Sequence, residues 1–160
     1  MQFERAGGLF VLGLVVAAAG CGGSTTSPQP SVAFSLSAQP ATIAGALCTG
    51  CGAGSTDRES KTTILITETG GASGTVTSIA MVLRDSASAV ITQGEFETGG
   101  VASLAGTSRI AANGTLSVPC GVHYPVAQQG KAATLTYTVR LTDDRGNSVS
   151  HDIVVTVTST

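Results

Sequence analysis

The chain contains 160 residues, carries a formal net charge of −2 at pH 7, and has only 11% charged residues. This length favours a single domain with appendages. The sequence contains no cluster of lysine and arginine, which argues against nucleic acid and anionic surfaces as partners.

The first 20 residues have the pattern of an export signal. A polar start containing Arg5 precedes an uncharged apolar run of 11 residues over 9–19 (LFVLGLVVAAA). A membrane-spanning helix needs about 20 such residues, so this run is too short to span a bilayer. Its length, its flanks and the small residues around its end are typical of the hydrophobic region of a secretory signal peptide.

Residues 18–21 (Ala-Ala-Gly-Cys) resemble the lipobox that ends the signal of bacterial lipoproteins. The resemblance implies that residues 1–20 are a lipoprotein signal peptide and that cleavage leaves Cys21 acylated, with a diacylglycerol thioether. Several acyl chains anchor a protein stably, where one gives only marginal binding. The implied location is the cell envelope, with the domain outside the cytoplasm. Gly22 stands where an aspartate marks inner-membrane retention, so the resemblance favours the outer membrane where one exists. The alternative is an ordinary secretory signal with Cys21 as a simple thiol.

Residues 21–31 (CGGSTTSPQPS) contain no large apolar side chain, which predicts a flexible linker between the lipid and the domain. The domain over 32–160 has an all-β pattern rich in Thr, Val, Ile and Ser, with glycine-containing turns at short intervals. In chain order it predicts strands over 32–36, 62–68, 75–85 and 89–93, and one or two strands over 109–118. No window of this domain has a helical periodicity.

The clearest pattern predicts a hairpin at the end of the domain. Apolar and polar residues alternate over 134–141, which places four apolar side chains on one face: Leu135, Tyr137, Val139 and Leu141. Residues 143–147 (DDRGN) predict the turn, and turn formation accounts for Asp143 and Asp144 better than a Ca²⁺ site does. The alternation resumes over 149–157 and places His151 on the inner face, where we expect it to be partly buried.

About seven short strands predict an antiparallel two-sheet sandwich. Residues 136–147 resemble the final F–G hairpin of bacterial immunoglobulin-like and fibronectin-III-like domains. The resemblance implies an immunoglobulin-like domain over 32–160 and makes Tyr137 a candidate tyrosine-corner residue. The tetrapeptide Glu-Thr-Gly-Gly occurs at 68–71 and again at 97–100, and we interpret the two copies as similar turns.

Three cysteines lie within the domain, Cys48 and Cys51 in LCTGCG and Cys120 in PCGVH. In an exported domain disulfide bonding is the default, and an odd number leaves one cysteine over. If the strands are lettered as in an immunoglobulin sandwich, Cys48 and Cys51 fall in the A–B connection, while Cys120 and His123 fall in the E–F connection at the same pole. Two pairings remain open: Cys120 with either Cys48 or Cys51, or Cys48 with Cys51 and Cys120 free.

A zinc site is the competing hypothesis for these residues. Cys48, Cys51, Cys120 and His123 offer three thiolates and one imidazole, the ligand count of a closed tetrahedral zinc site. An oxidising compartment argues against it, because the ligands must be reduced. Thioredoxin-like chemistry is disfavoured, because no helix follows Cys51.

The sequence favours a non-enzymatic function. It contains no G-x-S-x-G, H-E-x-x-H or P-loop motif, so we predict no catalytic residues and no cofactor. We expect an adhesion, spacer or partner-binding module, held at the membrane by the lipid on Cys21 and contacting an envelope or extracellular protein or glycan. The alternative is a metal-binding or redox lipoprotein that uses the cysteines and His123.

Overall fold

The computed structural model describes residues 29–52, 57–125 and 131–158. The predicted signal peptide, the lipidation site at Cys21 and most of the linker lie outside these residues. Within the described part of the chain no helix is long and apolar enough to cross a membrane.

Ten strands and one helix make up the described domain. In chain order they are β1 (Phe34–Gln39), β2 (Thr42–Ala44), β3 (Ala46–Leu47), β4 (Arg58–Glu68), β5 (Gly74–Asp85), β6 (Val90–Glu97), α1 (Thr98–Ala105), β7 (Arg109–Ile110), β8 (Thr115–Tyr124), β9 (Ala133–Asp143) and β10 (Ser148–Thr158).

The strands form two sheets of four and six strands that pack face to face. In the first sheet β4 is central, with β8 antiparallel on one side and β1 and β3 antiparallel on the other. In the second sheet the order is β2-β10-β9-β5-β6, and β7 pairs with the start of β5. The pairing of β2 with β10 is parallel. The predicted all-β two-sheet sandwich is confirmed.

Seven of the ten strands are six or more residues long, and they correspond to the predicted number of about seven. They divide into a set of three (β1, β4, β8) and a set of four (β10, β9, β5, β6), as in an immunoglobulin-like sandwich. The other three strands are two or three residues long; β2 and β3 were not predicted, whereas β7 falls within the one or two strands predicted over 109–118. Such short strands leave no room for the alternation on which strand prediction depends.

The core lies between the sheets and follows the alternation of the long strands. On β9 the side chains at 133, 135, 137, 139 and 141 are buried and those between them are not, as predicted. The facing strands add Ile64 and Ile66 from β4 and Val118 and Val122 from β8. Burial of apolar area at about 25 cal/mol per Å² is therefore the main stabilising contribution between the two sheets.

The helix α1 contradicts the expectation that the domain contains none. It lies between β6 and β7, buries Val101 completely, and ends at Gly106, which has a positive φ of 78°. The helix packs against β8, β5 and β6, so it covers the gap between the sheets at one side of the sandwich. Two glycines within eight residues hide this helix from sequence analysis, since each costs about 1 kcal/mol relative to alanine.

One end of the sandwich receives the linker, and we call it the tether pole. Here the chain enters at Pro30, whose carbonyl oxygen accepts a hydrogen bond from Arg145 Nη1 at 2.9 Å. Arg145 belongs to the predicted β9–β10 turn, in which Asp143 Oδ1 accepts from the backbone N–H groups of Arg145 at 2.9 Å and Asn147 at 2.8 Å. The hydrogen bond from Arg145 therefore joins the end of the linker at Pro30 to the β9–β10 turn.

Asp144, the second aspartate of this turn, forms a bidentate ion pair with Arg109, with N–O distances of 2.8 and 2.7 Å. Its carboxylate also accepts a hydrogen bond from Ser73 Oγ at 2.7 Å. The hydrogen bonds from Arg109 and Ser73 lower the pKa of Asp144 to about 2. We expect Arg109→Ala to return this pKa towards the ordinary value of about 3.9. A carboxyl-carbon NMR titration measures both values. A pKa near 4 in the unmodified chain would contradict the ion pair.

Candidate functional site

A disulfide lies at the other end of the first sheet, where β3 meets β4. Cys48 follows β3, and its N–H donates to the carbonyl oxygen of Asp57 at 2.9 Å. Cys48 is bonded to Cys51, with the two Cα atoms 5.6 Å apart. Thr49 and Gly50, which separate them, are exposed. We call this end of the sandwich, opposite the tether pole, the disulfide pole.

The structure decides between the two pairings that the sequence left open. Cys48 pairs with Cys51, and Cys120 is a free, buried cysteine only 2% exposed. A bridge from Cys120 to Cys48 or Cys51 is therefore wrong. Burial raises the pKa of the Cys120 thiol to about 12, which keeps it protonated and unreactive at neutral pH.

The position of Cys120 also excludes the four-ligand zinc site. Cys120 and His123 do not lie in a connection, as expected, but within strand β8. Successive side chains of a strand point to opposite faces, so residues three apart cannot share a face. Cys120 accordingly points into the core, whereas the His123 side chain is 54% exposed on the outer face. The predicted Cys₃His ligand set is wrong for this geometric reason.

The structure brings three of the four predicted residues together. One ligand atom from each of Cys48, Cys51 and His123 lies within 4.8 Å of the others. Glu59 on β4 is the register partner of His123, and its Oε1 lies 3.3 Å from His123 Nε2 and 3.0 Å from Lys61 Nζ. We call Cys48, Cys51, Glu59 and His123 the disulfide cluster.

Sequence reasoning missed Glu59 and Lys61. The hydrogen bond from Lys61 lowers the pKa of Glu59, and a further bond from His123 adds to this effect. Glu59 is therefore an anion at neutral pH, positioned to hold the imidazole of His123. The signal that could have revealed the two residues is their spacing, since residues two apart on a strand share a face.

A surface depression of about 490 Å³ adjoins the disulfide cluster. Gly121 lines it, and a Cβ at that position would make ordinary van der Waals contacts, 3.7 Å from Lys61 Cγ and 3.9 Å from Glu59 Oε1. The residues around it come from β1, β4, β8, α1 and the turn after β1: Gln39, Pro40, Glu59, Lys61, Thr62, Thr63, Leu104, Pro119, Cys120 and Gly121. The disulfide pole thus combines an exposed imidazole, an ion pair and a recess.

Two further predicted residues differ from expectation. His151 is on the predicted face of β10 but is exposed, and its ring forms a T-shaped pair with the Phe34 ring, with the ring centroids 4.7 Å apart. Tyr137 is fully buried, and its hydroxyl has no hydrogen-bond partner among the described residues. A tyrosine-corner residue bonds its hydroxyl to the backbone, so Tyr137 does not have that role.

The reactivity of the three domain cysteines should follow their positions. In the folded chain without reductant we expect no alkylation of Cys48, Cys51 or Cys120. Denaturation without reductant should expose one thiol, at Cys120. Reduction of the folded chain should expose two, at Cys48 and Cys51. Peptide mass mapping after each treatment measures this, and rapid alkylation of Cys120 in the folded, unreduced chain would contradict its burial.

No family model matches the chain, and no curated protein matches it. Among solved structures the domain is similar to a Bordetella pertussis protein provisionally assigned as ApaA, with a TM-score of 0.56, 16% sequence identity, and coverage of 82% of this chain and 98% of that one. It is also similar to a structural-genomics target, with a TM-score of 0.55, 9% identity, and coverage of 80% and 86%. At these identities the likeness shows a shared fold alone.

Proposed function

We propose that this chain is a lipid-anchored module of the bacterial cell envelope, whose β-sandwich is a non-enzymatic spacer that presents its disulfide pole to an envelope or extracellular protein or glycan. In this proposal residues 1–20 are the removed signal peptide, Cys21 carries the lipid, and the linker joins it to the tether pole.

The observation that carries the proposal is the position of the two poles. The linker enters beside Arg145 at the tether pole, while Cys48 and His123 lie at the opposite end of the sheet. Strand β4 connects the two ends with 11 residues, which at about 3.3 Å per residue separates them by about 35 Å. An anchor at Cys21 would therefore leave the disulfide pole on the side away from the lipid.

The disulfide supports export independently of the N-terminal pattern. Bridges such as Cys48–Cys51 form and persist in oxidising compartments, and they are rare in the cytosol. The adjoining recess and the exposed side chain of His123 give the distal end a surface that a partner can contact.

The proposal is tested by expressing the full chain in a bacterium with two membranes. We expect the mature protein in the membrane fraction, with a mass that corresponds to a chain starting at acylated Cys21. The Cys21→Ala variant should lose the lipid mass and the membrane association. Cys120→Ala is the matched control and should remain in the membrane. An unacylated wild-type chain that begins elsewhere, or a soluble wild-type chain, would overturn the proposal.

A further inference from the structure

We propose that the disulfide cluster is a redox-controlled zinc site, in which reduced Cys48 and Cys51 bind Zn²⁺ together with His123, and in which the disulfide is the metal-free form. This inference goes beyond the proposed function and does not depend on the lipid anchor. It differs from the four-ligand set above, because Cys120 takes no part in it.

The ligand atoms are already close to the positions that zinc requires. Zinc binds thiolate at about 2.3 Å and imidazole nitrogen at about 2.0–2.1 Å, so in a tetrahedral site two ligand atoms lie less than about 4 Å apart. Those of Cys48, Cys51 and His123 lie within 4.8 Å of one another. Breaking the bridge lets the sulfurs separate, and the exposed His123 ring can turn towards them. Small side-chain movements therefore complete the set.

Glu59 supplies the support that metal-bound histidines need. Its Oε1 lies 3.3 Å from His123 Nε2, so it can accept the Nε2–H and leave Nδ1 as the ligand atom. Histidine ligands almost always donate their other ring N–H to a carboxylate, carbonyl or water, which fixes the ring orientation. Lys61, bonded to Glu59 at 3.0 Å, holds this carboxylate in place. Glu59 is thus a positioning residue.

Three protein ligands leave the fourth position of the zinc open. A site closed by four protein ligands is typical of structural zinc, whereas three ligands with a free position allow water or another ligand to bind. The cluster lies beside the depression at Gly121, whose residues include Glu59 and Lys61. The exposed side of His123 leaves this fourth position open to water or to another ligand from solvent.

The conversion of the disulfide into the zinc-binding dithiol needs a dithiol reductant. A thiolate of the reductant attacks Cys51 Sγ in its exposed turn, and the S–S bond breaks to release the Cys48 thiolate. The second thiol of the reductant resolves the mixed disulfide. The reductant becomes a disulfide, and two electrons and two protons reach the cysteines. Zinc binding then releases those two protons to water.

The experiment titrates the mature chain as purified from the bacterium, in detergent and without oxygen, with Co²⁺ as a spectroscopic probe and then with Zn²⁺. We expect the dithiol-reduced chain to bind one ion, with a thiolate-to-Co²⁺ charge-transfer band, and the bridged chain to bind none. His123→Ala should weaken the affinity at least 10-fold, and Glu59→Gln about 10- to 100-fold. His151→Ala, at the other exposed histidine, should change nothing.

Three outcomes would overturn the inference. The first is a reduced chain that binds no Co²⁺ although circular dichroism shows it folded. The second is a bridged chain that binds as tightly as the reduced one. The third is a His123→Ala variant with wild-type affinity. The Cys48→Ser variant gives a second readout, because it should lose thiolate charge-transfer intensity even if a weaker site persists, and an unchanged band would equally contradict the ligand set.

Discussion

Replacing Glu68 by leucine is expected to lower the free energy of unfolding by about 3 kcal/mol. The Glu68 side chain is only 1% exposed at the tether pole. Its carboxylate accepts hydrogen bonds from the backbone N–H groups of Gly70 at 2.7 Å, Gly71 at 3.0 Å and Asn113 at 2.8 Å. Leucine would leave these partly buried N–H donors without their acceptor, and a buried donor left without a partner costs about 1–3 kcal/mol. Urea unfolding at pH 7 measures the loss.

The second Glu-Thr-Gly-Gly segment provides a matched control. Glu97 has the same three following residues but is exposed, and its side chain makes no capping bond to the helix it precedes. Glu97→Leu should therefore change the free energy of unfolding by less than about 0.5 kcal/mol. Equal effects of Glu68→Leu and Glu97→Leu would contradict the assigned role of Glu68.

The same carboxylate predicts a pH dependence. Burial alone would raise the pKa of Glu68, but the backbone N–H groups of Asn113, Gly70, Ala72 and Gly71 outweigh it and hold the pKa below its ordinary value. A depressed folded-state pKa contributes stability above the unfolded value of about 4.3, and this contribution is lost as the pH falls through the folded value. Glu68→Gln, which cannot titrate, should therefore lose less stability than the unmodified chain below pH 4.

Tyr137→Ala is expected to lower the free energy of unfolding by about 4 kcal/mol. Tyr137 is fully buried in the centre of β9, and removing a buried aromatic ring leaves a cavity that typically costs 3–5 kcal/mol. Tyr137→Phe should have the opposite sign, with a gain of about 1 kcal/mol. Its hydroxyl has no partner among the described residues, and burying an unbonded hydroxyl is unfavourable.

The two Tyr137 variants separate packing from hydrogen bonding. Burial, together with the nearby Cys120 thiol, raises the pKa of Tyr137, which agrees with a hydroxyl held away from water. Chemical denaturation of both variants and of the unmodified chain provides the comparison. A loss of 1 kcal/mol or more in Tyr137→Phe would show that the hydroxyl is bonded after all, as in a tyrosine corner.

The hairpin of β9 and β10 could be predicted because its evidence is local. A strand with one buried face alternates with period two, and Leu135, Val139 and Leu141 show that alternation within a single stretch of sequence. The same rule placed His151 on the correct face of β10. The rule could not give the exposure of His151, because exposure depends on how far the facing sheet extends. Among the described residues, Phe34 alone is in ring contact with His151.

Strand β8 was misjudged because Pro119 and Gly121 resemble a connection. Proline lacks an N–H and is tolerated on a strand that lies at a sheet edge. Among the strands of the described residues, β8 pairs with β4 alone, so Pro119 fits there. Once Cys120 and His123 belong to a strand, their spacing of three places them on opposite faces. The position of β8 at the edge of its sheet could not be predicted from the sequence, because it depends on the pairing of β8 with the distant strand β4.

The two Glu-Thr-Gly-Gly segments show the same limit. The first forms a turn with a positive φ of 77° at Gly71 around the buried Glu68 carboxylate, whereas the second opens α1. Four identical residues adopt different structures because their surroundings supply different partners. The disulfide cluster depends on distant residues in the same way, since Glu59 and His123 are 64 positions apart and meet through the β4–β8 register.

The most direct test of this account is the mass of the mature protein extracted from membranes, combined with non-reducing peptide mapping. We predict a chain that begins at acylated Cys21, with Cys48 bonded to Cys51 and with a single free thiol at Cys120. A chain without lipid would contradict the anchored module. A bridge to Cys120 would contradict the arrangement of the disulfide pole on which the zinc site depends.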